Sequence, residues 1–383
     1  MIAVNIHNAT IHAPTPDFNY SHCPSIAWHE GQFFVVWMGG KENREGGRGQ
    51  GIVYATSRDF MQWSEAETLF FPPAATCLFE PILFTQGANL FCAYAENHSD
   101  PNADVADAYL IAGNLMLSQL TPAGWGVPRV IAATDGPEGC PQGCPTVSNP
   151  PAIIPLPDGG ERILFSVHYL NHGVGQSRPR SLWSDDGGAT WVAGAFVPSG
   201  ERKLMEGTVQ PLPDGRLVMH VRNDSDFPVV WRSISTDTGA TWSQAEPTGL
   251  RSWAKTSSLR HSSGRTLLLF NDDPPEFAGS RMVHDNATNA LFDPASGKPL
   301  VWKLGPCVVR KNLSVAASED GLAFTLAGRF DLESNGYGCS YPVGVEVDGK
   351  LFVVSSRRDN MHTRRPNMIR GHVIELLEQH RRS

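Results

Sequence analysis

The sequence predicts an all-β fold assembled from repeated sheets, and three observations predict it. Ser184-Asp185-Asp186-Gly187-Gly188-Ala189-Thr190-Trp191 reads S-x-D-x-G-x-x-W, and Ser235-Thr236-Asp237-Thr238-Gly239-Ala240-Thr241-Trp242 repeats it 51 positions later. Tryptophans that could close such a unit recur at Trp63, Trp125, Trp191, Trp242 and Trp302, with gaps of 62, 66, 51 and 60. The 37 glycines and 29 prolines among 383 residues suit many short strands joined by tight turns. Internal repeats of roughly this length belong to propellers and solenoids.

Each residue of the repeated unit has a physical task. Ser and Asp side chains hydrogen-bond backbone N–H groups of their own turn. Gly supplies a left-handed position that a Cβ would penalise. The Trp then covers apolar surface beneath the hairpin.

Taken in order, Ile2-Ala3-Val4-Asn5-Ile6 alternates like a strand with no partner nearby, and such a segment closes a propeller ring by joining the last blade. Blade one covers Ser25–Leu69: runs at Ser25–His29, Phe33–Met38 and Gly51–Ser57, then Ser57-Arg58-Asp59-Phe60-Met61-Gln62-Trp63, a box one residue short. Blade two has Pro81–Phe84, Leu90–Ala95 and Ala108–Ser118, and keeps the Ser118-to-Trp125 spacing without the Asp. Blade three runs from Ala152–Pro155 through Arg162–Tyr169 to the box at 184–191. Blade four runs from Thr208–Pro211 through Leu217–Arg222 to the box at 235–242. Blade five has Thr256–Arg260 and Thr266–Asn271 and ends near Trp302. Blade six takes Val315–Ala317, Leu322–Leu326, Pro342–Val347, Leu351–Ser355 and Ile369–Leu376, the last an outer strand or short helix. The count is six blades in one domain spanning 1–383; seven would need a different division of residues 250–340.

The boxes resemble the Asp-box, or bacterial neuraminidase repeat, of the sialidase superfamily, whose members are six-bladed β-propellers. That resemblance implies a carbohydrate-active enzyme and names site residues. Glu206, followed by Leu212-Pro213-Asp214-Gly215-Arg216-Leu217 and Arg222, resembles the family's Glu, hairpin and carboxylate-binding Arg. Gly338-Cys339-Ser340-Tyr341-Pro342, followed by Asp348-Gly349-Lys350-Leu351, resembles the segment with its nucleophilic Tyr. A further clamp arginine would be Arg310 or Arg281. Where the family carries Arg-Ile-Pro, this chain has His22-Cys23-Pro24, and the acid-bearing loop offers Arg44 and Glu45 but no matching Asp. The pattern is nearest to sialidase-like relatives of uncertain substrate.

The residues also speak for themselves. Tyr20-Ser21-His22-Cys23-Pro24, Phe79-Glu80-Pro81, Ser148-Asn149-Pro150-Pro151, Glu206-Gly207-Thr208, Lys255-Thr256-Ser257 and Cys339-Ser340-Tyr341-Pro342 all put polar groups just before an inner strand. A ring of such groups facing one axial pocket is expected, with His22 and Glu80 among the substrate contacts. A Tyr beside an ionised Glu can attack an anomeric carbon, and Arg can grip a carboxylate through two hydrogen bonds.

The first function expected is therefore an exo-acting, sialidase-like glycosidase removing a terminal acidic sugar, with Tyr341 as nucleophile, Glu206 as its base, Arg222 and a second Arg as the carboxylate clamp, and Glu45 or a loop Asp as acid. A second is a lyase on a uronate-containing glycan with His98 or His168 as base, since histidines also gather at His22, His98, His168 and His172. A third is a non-catalytic glycan-binding propeller, which would display aromatic platforms instead of an acid/base set.

A net charge of −8 and a pI near 5.9 give no basic footprint for nucleic acid or anionic membranes, and the terminal arginines (Arg357, Arg358, Arg364, Arg365, Arg370, Arg381, Arg382) are read mostly as solvated. No apolar run is long enough to span a bilayer and the N-terminus lacks a secretory pattern, so a cytoplasmic protein is expected. Seven cysteines fit buried thiols in a reducing compartment; Cys140 and Cys144 could form a disulfide or a metal clip, but no second pair stands at zinc spacing, and neither metal nor cofactor is expected.

Overall fold

Strands of four to eleven residues pair into six antiparallel blade sheets, each essentially four-stranded and wound from the centre outward. The computed structural model describes the chain apart from residues 48, 74–75, 99–111, 135–142, 172–175, 201, 225–228, 253, 273–282, 286–289, 294–297, 300–309, 311, 332–337, 360–364 and 379–383. Blade one comprises Tyr20–His29, Gln32–Gly40, Gly51–Ser57 and Glu67–Phe70. Blade two comprises Cys77–Gln86, Asn89–Asn97, Gly113–Thr121 and Arg129–Ala133. In blade three the inner strand is split into Cys144–Val147 and Ala152–Pro155, both pairing with Glu161–Asn171, followed by Gln176–Ser184 and Val192–Phe196. Blade four comprises Leu204–Pro211, Leu217–Asn223, Val229–Ser235 and Glu246–Arg251. The molecule is a six-bladed β-propeller in which the innermost strands of successive blades touch all the way round, including the last with the first.

Ring closure follows the expectation. Ile2–His12 pairs antiparallel with Met368–Leu377, from Ile2 opposite Leu377 to His12 opposite Ile369, and forms the outer strand of blade six. The rest of that blade is Cys339–Val347 and Lys350–Arg357, so Met368–Leu377 is a strand and not a helix.

Two boundaries differ from the sequence reading. Val315–Ala317 and Leu322–Leu326 belong largely to blade five, whose strands are Ser257–Arg260, Thr266–Asn271, Leu313–Ser318 and Thr325–Asp331. Blade six begins only at Cys339. The misplacement has a clear cause. A small sheet of Val283–Asp285, Ala290–Asp293 and Lys298–Pro299 interrupts blade five between Thr266–Asn271 and Leu313–Ser318, and Trp302 lies outside the described residues. The true turn is Ser318-Glu319-Asp320-Gly321, where Ser318 Oγ donates to Asp320 and accepts from the Gly321 N–H. Phe324 stands where a Trp would, packed edge-on against His220.

The boxes themselves bond as their chemistry dictates. Ser184 Oγ donates to Asp186 Oδ1 (2.7 Å), the N–H of Gly188 donates to Ser184 Oγ (2.7 Å), and Thr190 N–H donates to Asp186 (2.9 Å). Ser235 and Asp237 repeat the scheme with Gly239 and Thr241. At Gly239, φ is +95° and a Cβ would stand 2.4 Å from Leu164, so only glycine fits. In the shortened box the left-handed position falls to Phe60 (φ 65°), whose buried ring packs on Phe33, Trp63 and Phe352. Blade two, lacking the Asp, holds its turn with Ser118 Oγ donating to the Gly126 carbonyl.

The core is not one centre but layers between blades. One layer joins Phe84 and Phe91 to Phe165, another joins Phe33 and Trp37 to Val343 and Val354, and a third joins Leu164 to Met219 and Trp231. Inner strands are accordingly buried on both faces, with every residue of Tyr20–Ala27 shielded.

Trp242 ties two blades by a polar bond as well, its Nε1 donating to Ser181 Oγ of blade three at 2.7 Å. Replacing Trp242 with Phe strands that buried hydroxyl and should lower stability by about 1–3 kcal/mol. Denaturant unfolding would read this as a lower midpoint at unchanged slope; an unmoved midpoint would show that the tether contributes nothing.

Candidate active site

The same irregularity recurs where inner strands reach the axis. Pairing slips between His22 and Ser25, Phe79 and Ile82, Met205 and Thr208, and Ser340 and Val343. At each slip a side-chain-bearing residue takes positive φ: Cys23 (53°), Glu80 (46°), Glu206 (54°) and Tyr341 (60°). Such a residue costs roughly 1–3 kcal/mol in backbone strain. The next residue is Pro24, Pro81, Gly207 or Pro342. The prolines have no N–H to lose from the ladder. Gly207 is demanded by packing, since a Cβ there would sit 2.2 Å from Ser166 Oγ.

These bulges gather residues far apart in sequence. Tyr341 Oη donates to Glu206 Oε1 at 2.8 Å, and Arg222 Nη1 donates to Tyr341 Oη at 3.0 Å and to both Glu206 oxygens at 3.1 and 3.2 Å. Arg222 Nη2 donates to Asp224 Oδ1 at 2.6 Å, and Lys203 pairs with the other Asp224 oxygen at 3.2 Å. All three central residues are buried. Burial opposes charge on Glu206, but the Arg222 guanidinium, His168 and the tyrosine hydroxyl outweigh it and hold the carboxyl below its ordinary range. Burial, then the Glu206 charge, push the Tyr341 phenol well above its usual value. The resting pair is a carboxylate and a neutral phenol.

Cations surround the phenol. Lys255 Nζ and Arg310 Cζ each stand 5.3 Å from the Tyr341 ring centroid. Lys255 is buried and donates to the Ser148 carbonyl at 2.7 Å. On the other side His22 meets the Tyr341 ring edge-on at 4.5 Å. Its Nδ1 bonds Ser356 Oγ at 2.8 Å, and the Cys23 N–H donates to that hydroxyl at 3.0 Å. Burial, then Arg310, Arg365, Lys255 and Arg222, push the His22 ring well below its usual value, so it is neutral. Glu80 is buried and accepts a hydrogen bond from Ser148 Oγ. Burial and the Glu206 charge raise its carboxyl to about 8.

Of the residues singled out from sequence, Tyr341, Glu206, Arg222, Arg310, His22 and Glu80 thus meet at the axis. His168 lies directly behind them: its Nδ1 accepts the backbone N–H of Glu206 at 3.4 Å, and burial lowers it to about 4. That contact braces the Glu206 backbone from behind. His98 is a correction. Exposed, it pairs with Glu96 at 2.7 Å and approaches Asn114 at 3.4 Å, and none of these bonds reaches the Tyr341 group. Glu45 pairs with Arg365 at 3.5 Å, so that arginine is not simply solvated; Arg44 is exposed in the same loop. Arg281, His172 and Cys140 lie outside the described residues. Cys144 is a buried thiol donating to the Glu96 carbonyl, and among the described residues no cluster of metal-ligating side chains occurs.

Sequence reasoning missed Asp224 and left Lys255 without a role. Asp224 stands two residues after Arg222, on the same face of the strand edge. Lys255 opens an inner strand, where a lone buried amine is unusual.

A six-bladed propeller with an axial Tyr–Glu–Arg group defines the class. The BNR repeat-like domain matches residues 31–353, and the chain belongs to that family. A sequence search of curated proteins finds no match. Among solved structures it is similar to a protein of unknown function from Dyadobacter fermentans (TM-score 0.69, 17% identity, 98% of this chain and 99% of that one). It is also similar to Trypanosoma rangeli sialidase with 2,3-difluorosialic acid as a covalent intermediate (TM-score 0.63, 13% identity, 98% and 59%). A mutant of NanB sialidase from Streptococcus pneumoniae is comparably similar (TM-score 0.64, 11% identity, 96% and 70%). The chain therefore has a sialidase-like fold and spans 59% of the trypanosomal enzyme's length.

The buried histidines set a pH dependence. Burial lowers His168 to about 4 and His220 and His372 to about 3, against 6.5 for a free ring. Below pH 6.5 the unfolded chain takes up protons that the folded chain refuses, so stability falls on acidification. Each ring contributes a slope of about 1.4 kcal/mol per pH unit. Glu80 acts oppositely: its raised value costs stability as pH climbs from 4.5 toward 8, one group against at least three. Denaturation midpoints should fall from pH 6.5 to pH 4, and His220→Leu should flatten that fall; an unchanged slope would contradict it.

Proposed function

We propose that the chain is a sialidase-like glycoside hydrolase that removes a terminal acidic sugar by double displacement on Tyr341. The observation carrying this reading is the 2.8 Å hydrogen bond from Tyr341 Oη to Glu206, with Arg222 at 3.0 Å on the same oxygen. As Tyr341 Oη attacks the anomeric carbon, its proton passes to the Glu206 carboxylate, which accepts it without reorganisation. A neutral phenol approaches a substrate carboxylate without the repulsion a carboxylate nucleophile would suffer. Arg310 and Lys255, beside the ring, supply positive charge for that substrate carboxylate, with Arg222 fixing the attacking oxygen. His22 replaces a guanidinium with a neutral ring at the pocket wall, which favours a substrate presenting a hydroxyl or amide there. Departure of the leaving oxygen calls for a second, protonated carboxyl; Glu45, which the family resemblance offers, is paired with Arg365. The likeness to a sialidase structure containing a covalent intermediate supports the same chemistry.

A panel of aryl glycosides of sialic, other ulosonic and uronic acids tests the reading. Tyr341→Phe should abolish release of the aryl group, and Glu206→Gln should reduce it by about 100- to 10,000-fold. Intact-mass measurement with a 2,3-difluoro acidic sugar should show one adduct, mapped to Tyr341. Turnover surviving in Tyr341→Phe, or a product absorbing in the ultraviolet through a new double bond, would overturn it.

A further inference from the structure

The geometry points to Glu80 as the group that protonates the departing glycosidic oxygen, an assignment that rests on the hydrolytic reading above. Glu80 occupies on blade two the bulge position that Glu206 and Tyr341 occupy on blades four and six, with the same left-handed backbone. Strain of that kind, repeated at three functional-group-bearing residues round one axis, aims all three side chains at a common space. A short bridge confirms the proximity. Ser148 Oγ donates to Glu80 Oε2, the Ser148 carbonyl accepts Lys255 Nζ at 2.7 Å, and that ammonium stands 5.3 Å from the Tyr341 ring centroid.

The environment of Glu80 differs from that of the other axial carboxyls. Glu206 is held by Arg222, Asp224 by Arg222 and Lys203, and Glu45 by Arg365. Among the described residues no cation lies within ion-pairing distance of Glu80; its bonded partner is a neutral hydroxyl. The groups facing it are Glu206, Lys255, Ser148, Glu45 and the Cys23 thiol. Burial and the Glu206 charge outweigh Lys255 and Ser148, so the carboxyl keeps its proton up to about 8. Two carboxyls with opposite occupancy at one axis are what acid/base catalysis near neutral pH requires.

The step balances. The Tyr341 Oη–carbon bond forms while the carbon–oxygen bond to the leaving group breaks. The phenolic proton moves to Glu206, and the Glu80 proton moves to the leaving oxygen. In the second half the Glu80 carboxylate takes a proton from water, whose oxygen attacks the same carbon. The Tyr341–carbon bond breaks, and Glu206 returns the proton to the phenolate.

Leaving-group dependence provides the test, using alkyl and dinitrophenyl glycosides of whichever acidic sugar the panel identifies. Glu80→Gln should lower kcat/KM on the alkyl glycoside by about 100- to 10,000-fold while leaving the dinitrophenyl glycoside, which needs no proton, little changed. The basic limb of the kcat/KM profile near pH 8 should vanish with the dinitrophenyl substrate. Ser148→Ala gives an independent reading: losing a hydrogen bond that favours the charged form should move the basic limb to higher pH. Equal losses on both substrates, no loss on either, an unmoved limb in Ser148→Ala, or a leaving-group-selective loss in Glu45→Gln would each overturn the assignment. Tyr341→Phe run alongside separates the two levels, because full activity there removes the hydrolytic reading itself.

Discussion

The axial site exists because four inner strands turn left-handed at residues that carry side chains. A regular strand would alternate its side chains into the two interblade layers and leave none for the axis. The slip at Cys23, Glu80, Glu206 and Tyr341 breaks that alternation and points one residue per blade inward. The strain totals several kcal/mol by ordinary scales, so the surrounding structure must over-determine it. It does so by polar means: the amide of Asn149 donates to the carbonyls of Glu206, Gly207 and Thr256, fastening three blades at the level of the bulges.

Over-determination depends in turn on closure. An open sheet of blades would present two unpaired faces, and the layers between blades would lose their outermost members. Pairing of Ile2–His12 with Met368–Leu377 joins the two ends of the chain in one blade, so no blade can leave without exposing two apolar layers. The layer between blades six and one also carries Phe60, the residue that replaces glycine in the shortened box. Its aromatic contacts offset the strain of its positive φ, which explains how the box survives the loss of a residue.

How far the sequence revealed this depended on whether a signal was local. Boxes at 184–191 and 235–242 were legible because the Ser and Asp hydrogen bonds that lock each turn stay within four residues, and the chemistry is written in the motif. The end of the fifth blade was misread because its turn closes on Phe324 rather than on a tryptophan. Glu206, Arg222 and Tyr341 could be picked out by resemblance. The burial of Lys255 beside the Tyr341 ring, and the exposure of His98, come from tertiary packing and leave no trace in spacing.

The division of labour between Glu206 and Glu80 shows why the site needs both a guanidinium and a hydroxyl. Both carboxyls are buried, and burial alone would protonate both. Arg222 reverses the balance for Glu206, and the resulting negative charge then deepens the penalty on charging Glu80. One ion pair thus sets two protonation states of opposite sense. Lys255 is placed to moderate the second effect without cancelling it: its ammonium is spent on a backbone carbonyl rather than on Glu80 itself. Were Lys255 to swing onto Glu80, that carboxyl would ionise, and the axis would hold two bases and no acid. The carbonyl of Ser148 is therefore as much a part of the electrostatic design as the side chains, because it decides which way the lysine points.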